Sequence, residues 1–288
     1  MIDKLISISR RIKREFEQLA LNKGRHVSGY ERFIDLRETE CQLAVGIYCR
    51  GRHTGIHKLE VYDVAKLGLS ATERILRGIV PSLDHARIYR IDACVDLLGL
   101  SPWDLGLTCH VPNVQNFRLY RSRGAVSFYL QSSQQRTLLI YDRGRHLQSE
   151  HDPLATLFRP DDSLTRIEVQ LKGRGVPFKR FSSISRYAEY DWLGDVKFWR
   201  LKLDSAGFTP TQWLVACGLY YLIGKLGLQA VSKRFSPPEW AFIQKRYFEP
   251  VAARKLPHLK WCFRKSVMKW LNDQVYFPRA PEETRRGV

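Results

Sequence analysis

Several arrangements that assign chemistry at a glance are missing from this 288-residue chain. The six cysteines (Cys41, Cys49, Cys94, Cys109, Cys217 and Cys262) form no CxxC pair and have no histidine at zinc-ligand spacing, which argues against a structural zinc site. The eight histidines include no His-apolar-His pair, so a nuclease built on such a pair is disfavoured; the closest two, His53 and His57, flank a turn expected at Gly55. No apolar run reaches the roughly 20 residues that cross a bilayer. The most apolar stretch, Trp213 to Gly224, meets Lys225 and reads as a buried helix. The N-terminus holds no apolar segment before Arg10-Arg11-Ile12-Lys13-Arg14. The expectation is therefore a cytoplasmic protein without membrane association, with reduced and mostly buried thiols.

Negative charge is also scarce. Lys and Arg number 47 against 29 Asp and Glu, a formal charge of +18. That surplus favours a polyanionic partner, nucleic acid before acidic lipid, without stating what is done to it. A hydrophobic content of 44% with 12% aromatics excludes wholesale disorder.

Apolar residues from Ile2 to Leu19 recur at helical spacing and predict a helix over 2–20. Gln42 to Cys49 and Gly55 to Tyr62 read as a hairpin across Arg50-Gly51-Arg52, and Ala65 to Val80 as a helix closed by Pro81. Strands follow at 87–98, 117–121, 125–130, 136–142 and 164–172, rich in Ile, Val, Leu and Tyr. The connectors between the last few favour antiparallel pairing, and a proline-containing loop spans 149–163. From about Pro177 the pattern turns helical: Trp213 to Ala230, Trp240 to Phe248 behind Pro237-Pro238-Glu239, and a last helix to Trp270 or Leu271, with a frayed tail after Pro278. The expected fold class is α+β. A mainly antiparallel sheet domain over 1–180 is followed by a helical, basic domain over 181–288.

Carboxylates inside strands of so basic a chain call for a reason. Asp92 and Asp96 share a sheet face by the period of two, although four residues place them roughly 13 Å apart in an extended strand. Arg166, Glu168, Gln170 and Lys172 share one face of the strand over 164–172, and Tyr141 and Arg143 share a face at the end of another. Two readings stand open. The acids are solvated or paired with neighbours such as Arg90 and Arg166, or carboxylates from adjacent strands converge as hard oxygen ligands.

The succession Arg-Ile-Asp-x-x-x-Asp (90–96), Phe-Tyr-Leu-Gln-Ser-Ser (128–133) running into Leu-Ile-Tyr-Asp-Arg (139–143), and Leu-Thr-Arg-Ile-Glu-Val-Gln-Leu-Lys (164–172) resembles the replication initiation factor family. These are the trans-acting Rep proteins of rolling-circle plasmids and filamentous phages. The resemblance covers about residues 87 to 180, with Gln131-Ser132 where Gly-Ser is common and Arg143 where a lysine is usual. It implies a nuclease-type domain with Tyr141 as nucleophile, and Asp92, Asp96 and Glu168 at the acidic positions that hold Mg²⁺ or Mn²⁺. It further implies origin DNA, single-stranded or supercoiled duplex, as substrate, with a host helicase and polymerase as partners; a homodimer is also considered. A covalent phosphotyrosine preserves the phosphodiester energy for rejoining, but a phenol with a pKa near 10 is only about 0.1 per cent ionised at neutral pH and needs help. Arg143, Arg166 and Lys172 are the cations expected to hold phosphate oxygens or stabilise the phenolate.

Tyr129, Tyr187 and Tyr190 are rivals to Tyr141, the last two as a YxxY pair. The stretch from Ser232 to Trp270 carries ten Lys or Arg against two Glu, interleaved with aromatics. Lys233, Arg234, Lys245, Arg246, Arg254, Lys255, Lys260, Arg264 and Lys265 are the expected DNA-contacting cations. The same stretch also reads as helices with an aromatic core and a solvated basic face, and a DNA-binding factor without enzymatic activity is the rival function.

Overall fold

The computed structural model describes residues 2–23, 25–27, 30–35, 43–49, 56–61, 64–122, 124–133, 135–149, 155–156, 163–194, 196–202, 207–250 and 259–274. In chain order the elements are β1 (Ile2–Ser9), α1 (Arg14–Lys23), β2 (Arg25–Val27), β3 (Tyr30–Asp35), β4 (Leu43–Cys49), β5 (His57–Val61) and α2 (Val64–Ile79). Next come β6 (Arg87–Leu98), α3 (Pro102–Gly106), β7 (Cys109–His110), β8 (Asn116–Ser122), β9 (Ala125–Ser133), β10 (Arg136–Asp142), α4 (Arg143–Ser149) and β11 (Leu164–Lys172). The remainder is β12 (Lys197–Leu201), α5 (Pro210–Leu226), α6 (Leu228–Ser232), α7 (Pro237–Tyr247), β13 (Phe248–Pro250) and α8 (Leu259–Leu271). The fold is α+β, and every strand pairing with a described register is antiparallel.

The chain divides into two compact units, neither a continuous segment. The first comprises Met1–Cys94, Val169–Trp192 and Lys260–Tyr276; the second comprises Val95–Glu168, Leu193–Leu259 and Phe277–Val288. The divisions fall inside β6 and β11.

The first unit is a sheet in the order β2-β3-β4-β5-β1-β6-β11. Leu5 pairs with Val61 on one side and Ile91 on the other, so these three share a face and are fully buried. The opposite face is polar: Lys4 and Lys58 pair with Glu60, and Arg90 pairs with Asp92. Helix α2 packs against β1 and receives α8, whose Trp270 indole donates to the Val64 carbonyl at 2.7 Å. Asp273, just past α8, accepts from the Ser70 backbone N–H at 2.7 Å. At Gly68 φ is +74°, and a Cβ there would lie 2.7 Å from that carboxylate, so glycine is required on both counts.

The second unit holds the β6-β11-β10-β9-β8 part of the strand order and a small sheet, β13-β12-β7. Burial alternates along β9, whereas Leu138, Leu139 and Ile140 of β10 are all buried. Phe128, Leu130, Leu138 and Ile140 are buried on one face, where the Phe128 ring meets Gly106 of α3 and the Trp103 ring edge-on. Ser101 caps α3, and Thr209 forms a capping box with Gln212 at the start of α5. The Ser236–Glu239 capping box with Pro237 at the first turn starts α7, as the sequence predicts.

Three expectations are corrected. Residues 2–20 are not one helix: 2–9 form β1, and helix begins only at Arg14. Ile2, Leu5, Ile6, Ser7 and Ser9 are all buried, so both faces of β1 are covered, which erases the alternation and leaves a spacing that mimics a helix. The apolar segment 213–224 is helical but not buried: within α5 only Ala216, Leu219 and Ile223 are covered, while Trp213 is 51% and Leu214 63% exposed. Gly227, at φ +82°, ends that helix short of Ala230. The helical elements also do not stand apart from the sheets, since α5–α7 belong to the second unit and nearly all of α8 to the first, with strand β12 before α5 and β13 between α7 and α8. Cys94 and Cys109 are buried and Cys217 and Cys262 half-buried, and none of the four is in a disulfide. The turn at 50–52, most of the loop 149–163 and the tail after Pro278 lie outside the described residues.

Candidate functional site

In the second unit the register across three strands fixes which side chains share the polar sheet face. Tyr141 lies opposite Ser127, and Ser127 opposite Tyr120. One row away, Leu139 lies opposite Tyr129, and Tyr129 opposite Arg118. Directly opposed residues point to the same side, so Tyr141, Ser127, Tyr120, Tyr129 and Arg118 form one face, with the Phe128–Ile140 core on the other. Tyr141 is half-buried at the end of β10. Asp142 then caps α4 by accepting the Arg145 backbone N–H at 2.9 Å, so the tyrosine sits where strand becomes helix. Arg143 is the first residue of that helix, and the His146 ring lies edge-on to the Tyr141 ring, 5.7 Å between centroids.

Strands β6 and β11 add charge. Arg166 is almost fully buried, and its guanidinium donates to both Asp96 oxygens, at 2.6 Å from Nε and 2.8 Å from Nη2. A bidentate pair of this kind is what makes a buried arginine tolerable. Burial pushes the Asp96 carboxyl up, but the charge and hydrogen bonds of Arg166, with Arg143 adding to them, outweigh it and hold the group below the ordinary aspartate value. Glu168, two residues on from Arg166 and on the same face, is buried. Tyr129 feels it: burial first, then the Glu168 charge and Tyr120, raise the Tyr129 phenol above its usual value. Tyr141, Arg143, Asp96, Arg166 and Glu168 therefore fall in one unit, on and beside one sheet face. Asp96 is a bidentate acid partner of Arg166.

The other expected residues lie elsewhere. Asp92 belongs to the first unit, buried at 1% exposure, and both its oxygens accept from Arg90 at 2.6–3.0 Å. That is the paired arrangement the sequence left open for it. Lys172, also in the first unit, is exposed and stands over the Tyr89 ring at 5.8 Å. Tyr187 is fully buried, donates to the Phe178 carbonyl at 3.0 Å and stacks on Trp192. Burial raises its phenol strongly. It is a core residue in a 3₁₀ segment, ringed by Phe178, Tyr190 and Trp192, and not an accessible nucleophile.

Of the cations expected to contact DNA, Lys233, Arg234, Lys245 and Arg246 are exposed in the second unit, and Arg264 and Lys265 are exposed in the first. Arg246 also donates to Gln212 at 3.0 Å. Arg254 and Lys255 lie outside the described residues, as does the Lys260 side chain. The spacing of the sequence missed two features: His146, one helical turn after Tyr141, and the exposed Tyr120 beside Tyr129. The Arg-Gly-Arg-His run after the strand was the signal for the first.

Hard carboxylate oxygens are suitable donors for Mg²⁺ or Mn²⁺. In Asp92 and Asp96, however, both oxygens already hold an arginine, and among the described residues no group of three or more His, Cys, Asp or Glu is gathered for an ion. The acids as arranged do not form a ready cation site. Among the described residues no helix is long and apolar enough to cross a membrane. No protein-family model matches the chain, and no curated protein matches it.

Proposed function

We propose that the protein is a DNA nicking and joining enzyme of the kind that starts rolling-circle replication, with Tyr141 as the nucleophile. The observation that carries this reading is the shared polar face of the second unit, where a half-buried tyrosine at a strand end sits with Arg143, Arg166, Asp96 and Glu168. The phenol oxygen attacks the scissile phosphorus while its proton passes to a base, a role this reading gives to His146. The P–O3′ bond breaks, the leaving oxygen takes a proton to become a free 3′-OH, and the strand stays joined to Tyr141 through its 5′ phosphate. Reversal rejoins the strand, so no outside energy is consumed.

Charge builds on the phosphoryl oxygens during attack, and Arg143 with Arg166 supplies the compensating cations. An incoming phosphate competes with Asp96 for the Arg166 fork, since both present two oxygens to it. A Mg²⁺ or Mn²⁺ ion would supply further charge neutralisation. Because Asp92 and Asp96 are committed to arginines, no step here is assigned to it. The exposed cations of α6–α7 and α8 hold flanking phosphates, which supports salt-dependent affinity for origin DNA.

A second reading, a DNA-binding replication or packaging factor without catalysis, is favoured by the same arginine–carboxylate pairs if they are purely structural. Nicking by Tyr141→Phe separates the two. The enzyme reading predicts loss of nicking and of any covalent adduct with unchanged DNA affinity. A wild-type protein that binds origin DNA tightly and never nicks it supports the binding factor.

A further inference from the structure

The tyrosine face carries more than a nucleophile. Tyr120 is 48% and Tyr129 37% exposed, unusual for large aromatics on a sheet, and their rings meet edge-on at 5.1 Å between centroids. Both stand on the Tyr141 side: Tyr120 shares its row through Ser127, and Tyr129 is in the next row. Neighbouring strands are about 4.8 Å apart, so the Tyr120 backbone lies roughly 10 Å from that of Tyr141, a gap that a nucleotide flanking the cleaved phosphate bridges. Ser127 between them carries a small side chain and is half-buried. Arg118, exposed on the same face, donates from Nη1 to the Tyr120 hydroxyl at 3.2 Å and so presents a cation at the rim of the aromatic pair. Among described residues, β8 from Asn116 to Ser122 carries two arginines and no acid.

We infer that Tyr120 and Tyr129 form a base-stacking subsite that takes an unpaired nucleotide of the substrate strand beside Tyr141, with Arg118 on its phosphate. This deepens the nicking reading and rests on it for the identity of the polymer. It assigns the substrate as single-stranded at the point of cleavage, because a paired base cannot offer its face to a ring standing on a sheet. It also gives Tyr129 a role other than rival nucleophile, in keeping with a phenol held protonated by burial and Glu168.

The test uses the full chain and three end-labelled probes of equal length: oligo-deoxythymidylate, the same strand with abasic sites, and a duplex. Wild-type protein is expected to bind the base-bearing strand more tightly than the abasic one. Tyr120→Ala and Tyr129→Ala are each expected to lose about 5- to 100-fold in affinity for the base-bearing strand. Affinity for the duplex and the slope of log K against log salt stay unchanged, since no phosphate contact is removed. Tyr120→Phe and Tyr129→Phe restore binding, which separates stacking from hydroxyl chemistry. Equal binding of the abasic strand, an equal loss on duplex, or alanine variants that bind like wild type overturns the subsite. These outcomes are independent of Tyr141: affinity lost in the two alanine variants together with nicking intact in Tyr141→Phe keeps the subsite and discards the nicking reading, while alanine variants that bind like wild type together with nicking abolished in Tyr141→Phe do the opposite.

Discussion

Each unit contains a sheet with one apolar face and one face where carboxylates meet cations, and the two faces differ in what accompanies the charge. In the first unit Glu60 sits between Lys4 and Lys58 and Asp92 against Arg90, so two acids are met by three cations on the described face. In the second, Arg143 is near enough to the Asp96–Arg166 pair to act on Asp96, Glu168 acts on Tyr129, and Tyr129 meets Tyr120 edge-on. An ion pair inside a strand is therefore not by itself a mark of chemistry. Partly exposed aromatic hydroxyls around it are what set the second face apart.

Breaking the pair in each unit sharpens that contrast. Asp96→Asn removes the bidentate carboxylate from the buried Arg166 guanidinium and is expected to cost about 3–5 kcal/mol of stability, read by denaturant unfolding. The same variant changes the acid limb. Asp96 is held below its unfolded value, so its contribution is complete above the unfolded aspartate pKa and is lost as pH falls through the folded one; Asp96→Asn flattens that slope. His146→Ala is expected to slow nicking by about 10²-fold, read in a nicking assay, with stability unchanged for an exposed side chain. Glu60→Gln, in the first unit, should cost about 1 kcal/mol because its lysines remain partly solvated, and it should leave adduct formation at the wild-type rate. A loss of adduct there would erase the distinction between the faces. The smallest effect expected is for Lys245→Ala, which lowers the salt slope of DNA binding by roughly one without changing which strand is chosen.

The strands around the candidate site were legible from their Ile, Val, Leu and Tyr content between turn residues. The period of two survives in β9, where Val126, Phe128 and Leu130 alternate with Ser127, Tyr129 and Gln131, while β10 buries Leu138, Leu139 and Ile140 in succession. β1 was not, because burial on both faces removes the period, and Ile2, Leu5 and Ile8 then fall at helical spacing by coincidence. Exposure is a tertiary property: nothing in the α5 sequence tells that Trp213 and Leu214 face away from the protein, or that Tyr187 of the YxxY pair is sealed under Trp192. The acids illustrate the same limit. Asp92 and Asp96 are four residues apart on one strand, yet they belong to different units and serve different arginines, a division that period-two reasoning cannot see. Tyr120 escaped notice because Phe-Arg-Leu-Tyr-Arg-Ser reads as an ordinary strand until the register sets it in the row of Tyr141.

The central claim is that Tyr141 attacks a DNA phosphate. Its most direct test incubates the full chain with Mn²⁺ and end-labelled single strands drawn from both strands of the DNA around its own gene, then maps any SDS-resistant adduct by peptide mass. The account predicts a label on the peptide containing Tyr141, absent from Tyr141→Phe and reversed by excess acceptor strand with a free 3′-OH. An adduct on Tyr190 or another tyrosine, or nicked DNA with no protein attached to its 5′ end, contradicts it.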